Sequence, residues 1–214
     1  MATTFKTLNS ANDVTSTRTL LHEAIPLTGT IASGTYSDLN VKTYSHGMFE
    51  SVYDYPYLSS SANHIFDVTT GYSSNSAMSG ASSVQNSKKL NIYSQMAQVL
   101  VGYDATGSIQ NFDQDGDIAG GGTKIKEAVF VNFSRLLSKD EIKKGSFEMW
   151  VVTGGLPNNL SSRMTITDDG AATSYKVNSP AGEYGILYTG SGVKDANSGV
   201  GLVYYQAGVA IITG

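Results

Sequence analysis

Cysteine is missing from this 214-residue chain. Its absence removes disulfides, thiol nucleophiles and thiolate metal sites together, and it fits assembly in a reducing compartment. Charge is scarce as well, at 15% of residues, and the balance is slightly acidic, with a formal net charge of −4. Nucleic-acid binders carry a basic footprint, so this composition argues against that class. The cations include three arginines, Arg18, Arg135 and Arg163, which leaves few candidates for bidentate phosphate recognition. There are only 4 prolines. No run approaches the roughly 18 apolar residues of a membrane-spanning helix. The opening residues, Met1-Ala-Thr-Thr-Phe-Lys6, hold no apolar stretch of the kind a secretion signal needs.

What the chain does hold is 23 glycines, 13 tyrosines and a hydrophobic share of 40%. That share is too high for a disordered chain, and the Gly, Ser, Thr and Tyr content favours strands and tight turns over helices. The most apolar segment is 201–214, in which Leu202-Val-Tyr-Tyr205 is followed by Val209-Ala-Ile-Ile212. It lacks polar alternation and reads as a strand buried on both faces. Such a strand needs pairing and cover from this chain, from another chain, or from sequence beyond Gly214.

Alternating stretches at His64-Ile-Phe-Asp-Val-Thr-Thr-Gly-Tyr72, Glu127-Ala-Val-Phe-Val-Asn-Phe133 and Ser146-Phe-Glu-Met-Trp-Val-Val152 predict further strands. Segments near 28–34, 40–45, 164–167, 174–177 and 184–188 complete the set, and Glu50–Tyr57 carries three tyrosines within five residues. One helix is expected over about 88–101. There Leu90, Tyr93, Met96, Ala97, Leu100 and Val101 recur at helical spacing, with Ser87 as its cap and Gly102 as its stop. The Ser138-Lys-Asp-Glu141 spacing predicts a short helical turn over about 139–144, ending at Gly145. The Ser/Asn/Ala/Gly-rich tract 73–87 and the Gly/Asp-rich tract 104–123 read as loops. The fold class is therefore mainly β, an antiparallel β-sandwich-like domain of about eight to ten short strands. It spans 17–214 behind an N-terminal arm at 1–16.

Chemistry is thin. In Asp113-Gln-Asp-Gly-Asp117, the carboxylates of Asp113, Asp115 and Asp117 could aim hard oxygens at a calcium ion. The EF-hand pattern fails, because Ile118 stands where the sharp-turn glycine belongs and Lys124 where the bidentate acid belongs. An acidic surface turn explains the same residues. His22, His46 and His64 show no ligand spacing. No G-x-S-x-G elbow occurs, and Gly120-Gly-Gly-Thr-Lys124 lacks the P-loop frame. No catalytic residue or cofactor is expected. Tyr53, Tyr55 and Tyr57, with Tyr204 and Tyr205, bring aromatic area and hydroxyl handles suited to an interface or to sugar stacking.

Six strings spread over nearly the whole chain resemble a virion structural protein of T4-like myoviruses of marine bacteria, cyanophages above all. They are Thr19-Leu-Leu-His-Glu-Ala-Ile-Pro26, the 51–67 stretch from Ser51-Val-Tyr-Asp-Tyr-Pro-Tyr57 to Asn63-His-Ile-Phe-Asp67, and Asn91-Ile-Tyr-Ser-Gln-Met-Ala-Gln-Val-Leu-Val-Gly-Tyr-Asp104. The others are Leu136-Leu-Ser-Lys-Asp-Glu-Ile-Lys-Lys-Gly-Ser-Phe147, Tyr175-Lys-Val-Asn-Ser-Pro-Ala-Gly-Glu-Tyr-Gly185 and Gly201-Leu-Val-Tyr-Tyr-Gln-Ala-Gly-Val-Ala210. The resemblance implies a non-enzymatic building block, of tail or baseplate, assembled in the host cytoplasm into a symmetric homo-oligomer among other virion proteins. It brings no catalytic residues, and it implies a product that continues past Gly214. The alternatives are a receptor- or carbohydrate-binding module with calcium at Asp113–Asp117, and, least favoured, a hydrolase using paired carboxylates such as Asp113 and Asp117.

Overall fold

A computed structural model of the chain describes residues 40–80, 82, 84–118, 121–133, 141–152, 163–190, 194–195 and 197–214. The expected arm at 1–16 and the strand expected at 28–34 lie outside these residues. The described part is mainly β, as expected from composition. Strands β1 (Val41–Thr43), β2 (Glu50–Tyr53), β3 (His64–Tyr72), β6 (Glu127–Phe133), β7 (Glu148–Val152), β8 (Arg163–Thr167), β9 (Tyr184–Thr189), β10 (Gly199–Tyr204) and β11 (Val209–Thr213) form one nine-stranded sheet. Its order is β1-β2-β3-β6-β11-β10-β9-β8-β7, and every pairing is antiparallel. A separate two-stranded ribbon pairs β4 (Phe112–Asp113), inside the 104–123 tract expected to be loop, with β5 (Lys124–Ile125) just beyond it.

The 201–214 run is two strands instead of one. Tyr205-Gln-Ala-Gly208 turns the chain, with Gly208 at φ +66°, and β10 then pairs with β11 from Gly201↔Ile212 to Tyr204↔Val209. This hairpin sits at the centre of the sheet, between β6 and β9. Both of its faces are covered by the chain itself, which is why no polar alternation shows in its sequence.

Period-two geometry splits the core into two layers. Phe130, Leu202, Tyr204, Val209 and Ile211 project to one face, where they meet Ile92, Tyr93, Ala97 and Leu100 of α1 (Val84–Leu100) and Phe112 and Ile125 of the ribbon. Val131, Val203, Ala210 and Leu187 project to the other face, with Phe147, Ile166 and Tyr205. Phe133 at the end of β6 and Phe147 just before β7 have ring centroids 6.0 Å apart. Five strand spacings separate β6 from β7 in the sheet order, about 24 Å if flat. The sheet therefore curls until its β7–β8 end lies over β3 and β6, giving a sandwich-like second core from a single sheet.

Helix α1 begins at Val84, so Ser87 lies within its first turn instead of capping it. Gly102, at φ +83°, does close it, donating its N–H to Ala97 O at 3.0 Å. The helix rests on β3 at Gly71, where a Cβ would lie 2.9 Å from Tyr93 N and 3.0 Å from Lys89 O. The helical turn expected over 139–144 is not present in its described part: 141–144 is irregular. Ile142 there donates its N–H to Tyr205 O at 3.0 Å, a tertiary bond that replaces the local one. A one-turn helix, α2, forms at Ala171–Ser174 instead.

Candidate functional site

The five tyrosines separate into two groups. Tyr204 and Tyr205 are 0% exposed, which corrects their expected role as interface residues. Tyr204 stacks on Tyr184 at 4.9 Å, and its hydroxyl is buried without a hydrogen-bond partner. Tyr205 donates to Asp168 Oδ2 at 2.9 Å. Asp168 also takes the N–H groups of Gly145 (2.7 Å) and Phe147 (2.9 Å), so one carboxylate ties the 145–147 segment to the central hairpin. Burial pushes the Asp168 carboxyl above the usual range, against the pull of those three donors.

Tyr53, Tyr55 and Tyr57 lie together at the β2–β3 end of the sheet. Tyr53 pairs directly with His64 across the two strands, with ring centroids 5.2 Å apart, and Tyr57 adds a ring at 6.3 Å. Tyr55 is 41% exposed and Leu58 82%. The loop carrying them is pinned at its base, where Asn63 donates its backbone N–H to Asp54 Oδ1 (2.6 Å) and its side-chain amide to Oδ2 (2.9 Å).

A second aromatic group occupies the β1–β2 turn. The His46 ring stacks on Tyr44 at 5.1 Å and 7°, and Phe49 closes on both at 5.0 Å. His46 Nδ1 accepts the Met48 N–H at 3.0 Å, while its carbonyl accepts Lys88 Nζ from the helix at 2.9 Å. Below this turn runs a groove of about 300 Å³, whose lining includes Met48, Phe49, Glu50, Thr69 and Lys89. Burial lowers the Lys89 ammonium from its ordinary value, partly offset by the Glu50 carboxylate. Met48 and Phe49 in the turn before β2, and Tyr55 and Leu58 in the loop after it, thus place exposed apolar side chains at the two ends of that strand, an apolar rim in two halves.

Ser51, His64 and Asp67 meet behind this rim, a combination that raises the question of nucleophilic catalysis. Ser51 Oγ donates to Asp67 Oδ1 at 2.5 Å, and His64 Nε2 lies 2.8 Å from the same oxygen. The carboxylate therefore stands between hydroxyl and imidazole. A nucleophile relay needs the imidazole in the middle to take the hydroxyl proton. This trio is built as a polar clamp across β2 and β3.

The acidic loop is organised around a cation of the chain's own. Lys124 Nζ hydrogen-bonds Asp113 Oδ2, and the carbonyls of Asp117 and Ile118 lie 3.4 and 3.3 Å from it. Asp115 Oδ1 accepts the Asp117 N–H at 2.9 Å. Among the described residues no three His, Cys, Asp or Glu side chains are grouped to hold a metal ion. Asp113, Asp115 and Asp117 form no such group of three, and Asp113 is turned to Lys124. The reason lies in the register: Asp113 and Lys124 are directly opposed partners in the β4–β5 ribbon.

Sequence reasoning passed over the rim residues Met48, Phe49 and Leu58, and also Trp150. That indole is 53% exposed on β7, with the Arg163 guanidinium 4.0 Å from its ring centroid. The alternation Glu148-Met-Trp-Val151, with Met149 and Val151 half-buried against the core, was the readable signal that Trp150 faces outward. The Arg163 pairing needed the β7–β8 register. Among the described residues no helix is long and apolar enough to cross a membrane. Comparisons of the chain with protein-family models, with curated proteins and with solved structures return no significant match.

Proposed function

We propose that this chain is a non-enzymatic structural protein of a bacteriophage particle, a tail or baseplate building block acting through protein–protein contacts. In this reading it is assembled in the host cytoplasm and takes its place in the virion as one copy in a symmetric homo-oligomer. The resemblance of the six strings supports the phage setting. Exposed apolar side chains at both ends of β2 are the observation that carries the contact role: Met48 and Phe49 in the turn before it, and Tyr55 and Leu58 in the loop after it, stand on segments pinned by Lys88 and by the Asp54–Asn63 pair. The wrong order of Ser51, Asp67 and His64 for proton relay supports the non-enzymatic part.

Sedimentation velocity of the purified chain tests the reading. The wild type self-associates with rising concentration, and a Tyr55→Ser, Leu58→Glu double variant stays monomeric with unchanged circular dichroism. A wild type that remains monomeric and sediments like the variant removes the support. The second reading, a carbohydrate-binding module, is favoured by the half-buried Tyr53–Tyr57–His64 ring group beside the Asp54–Asn63 polar pair. Saturable binding on a glycan array, lost in Tyr55→Ser, would replace the scaffold reading with it.

A further inference from the structure

The β4–β5 ribbon brings a nucleophile, an electrophile and a proton-transfer group to one place. Asp113 and Lys124 are cross-strand partners, and Nζ lies against the carboxyl oxygen Oδ2. The Asp113 side chain is wholly buried and that of Lys124 is 27% exposed. Phe112 and Ile125, their neighbours on the same two strands, belong to the core. Behind the carboxyl, Gly122 approaches so closely that a Cβ there would stand 3.1 Å from Asp113 Oδ1. The Asp115 carboxyl reaches the same spot: that Cβ would stand 3.2 Å from its Oδ2, and Asp115 donates its backbone N–H to Asp113 Oδ1 at 3.3 Å.

We propose that Lys124 and Asp113 condense into an intramolecular amide, with Asp115 as the proton-transfer group. The step begins with transfer of a proton from the Lys124 ammonium to the Asp113 carboxylate, leaving a neutral amine beside a neutral acid. Burial raises the Asp113 carboxyl from its ordinary value, the direction this transfer needs. The amine lone pair then attacks Asp113 Cγ to give a tetrahedral centre. The Nζ–Cγ bond forms, the Cγ–OH bond breaks, and Asp115 returns the proton it takes from Nζ to the departing hydroxyl. One water leaves, and no oxidant, metal or activated donor is required. Amide formation from free acid and amine is unfavourable in dilute water. Holding amine and carboxyl in contact across the ribbon gives an effective concentration that can reach about 10⁵ M or more, which lowers the entropic part of the barrier. The product staples the acidic loop shut across the ribbon.

Intact-mass spectrometry of the purified full chain tests this. The wild type is expected one water lighter than its sequence mass, with a branched peptide joining the Asp113 and Lys124 segments in tandem spectra. Lys124→Arg and Asp113→Ala are expected at full sequence mass, each checked for folding by circular dichroism. Asp113→Asn keeps the carbonyl electrophile and is expected one ammonia lighter, a signature that no misfolded variant mimics. Asp115→Ala should form the link about a hundredfold more slowly. Asp115-Gly116 can also lose water by cyclising on its own backbone. That product would persist in Lys124→Arg, revert in mild alkali and yield no branched peptide. A wild type at full sequence mass after prolonged storage, or a water loss that survives Lys124→Arg, overturns the proposal. An unchanged rate in Asp115→Ala overturns the role given to that residue.

Discussion

Replacing Asp168 tests how the curled sheet is held closed. Its carboxylate takes three donors: Tyr205 Oη, Gly145 N and Phe147 N. Asp168 is 1% exposed and Tyr205 0%, so water does not replace a lost acceptor at either position, whereas Gly145 is exposed. Asp168→Ala strands two buried donors at roughly 1–3 kcal/mol each, for a total loss of about 2–6 kcal/mol. Asp168→Asn keeps one acceptor oxygen and turns an amide N–H₂ toward a donor, costing about 2–3 kcal/mol. Tyr205→Phe removes a single donor and leaves the carboxylate its two backbone partners, costing about 1 kcal/mol. Urea unfolding followed by tryptophan fluorescence reads all three, since Trp150 is the one tryptophan of the chain. If Asp168→Ala costs no more than Tyr205→Phe, the carboxylate is not what fastens the 145–147 segment, and the reasoning fails.

The same residue fixes the sign of a pH effect. Burial holds the Asp168 carboxyl above its unfolded value of 3.8, so the folded state binds the proton more tightly than the unfolded chain does. This contribution to stability is complete below the unfolded value and declines as pH rises through the folded one. The destabilisation caused by Asp168→Asn is therefore greater in mild acid than at neutrality. Urea titrations of both proteins across that range check it, and a difference growing toward neutral pH contradicts the sign.

Gly71→Ala places a methyl against the backbone of α1 and should cost about 1–3 kcal/mol in urea unfolding, with the m-value preserved. Tyr204→Phe removes a buried hydroxyl without a partner and should leave stability unchanged or raise it by up to about 1 kcal/mol. Tyr184→Phe should lose about 1 kcal/mol or more, because that hydroxyl lies 2.8 Å from Gly116 O and 2.7 Å from Asn178 Oδ1. Thermal melts rank the pair, and the reverse order would reject the packing described for the central tyrosines. Leu58→Glu should leave the melting temperature within about a degree of wild type, since its side chain is largely solvated.

Local periodicity carried much of the fold. His64–Tyr72 is a strand with the bounds read from its alternation, and α1 differs chiefly by starting four residues earlier than expected. What escaped depends on distant partners. The Ser138-x-x-Glu141 spacing did not make a helix of 141–144, because Ile142 finds a backbone acceptor at Tyr205. The acidic loop reads as ligand-rich until the ribbon register sets Lys124 opposite Asp113, a pairing between residues eleven positions apart. Tyr204 and Tyr205 look like surface chemistry by residue type alone. They lie, however, in the run whose lack of polar alternation reads as buried on both faces, and the central place of β10 in the sheet bears out that pattern against the interface role. Of the candidate site, Tyr53, Tyr55 and Tyr57 were legible, and the Met48–Phe49 half was not. Rims are defined by what fails to be covered, and that is a property of the whole fold.

The burial of the terminal hairpin also moves the physical argument for assembly. An unpaired apolar strand would have demanded a partner chain through its backbone as much as its side chains. Paired on both sides and covered on both faces, β10 and β11 make no such demand. In the proposed assembly, the contacts that the described residues offer are side chains at the ends of the sheet, where β1 and β7 are the outermost described strands. β1 has three residues, too few for a strong ladder, whereas the rim beside it and the Trp150–Arg163 pair on β7 offer exposed ring area. Contacts of that kind bind through a few buried aromatic anchors, so they fail to single substitutions while the fold survives. An edge-paired assembly would behave in the opposite way: it would tolerate Tyr55→Ser and Leu58→Glu and be broken by a proline placed in β1 or β7.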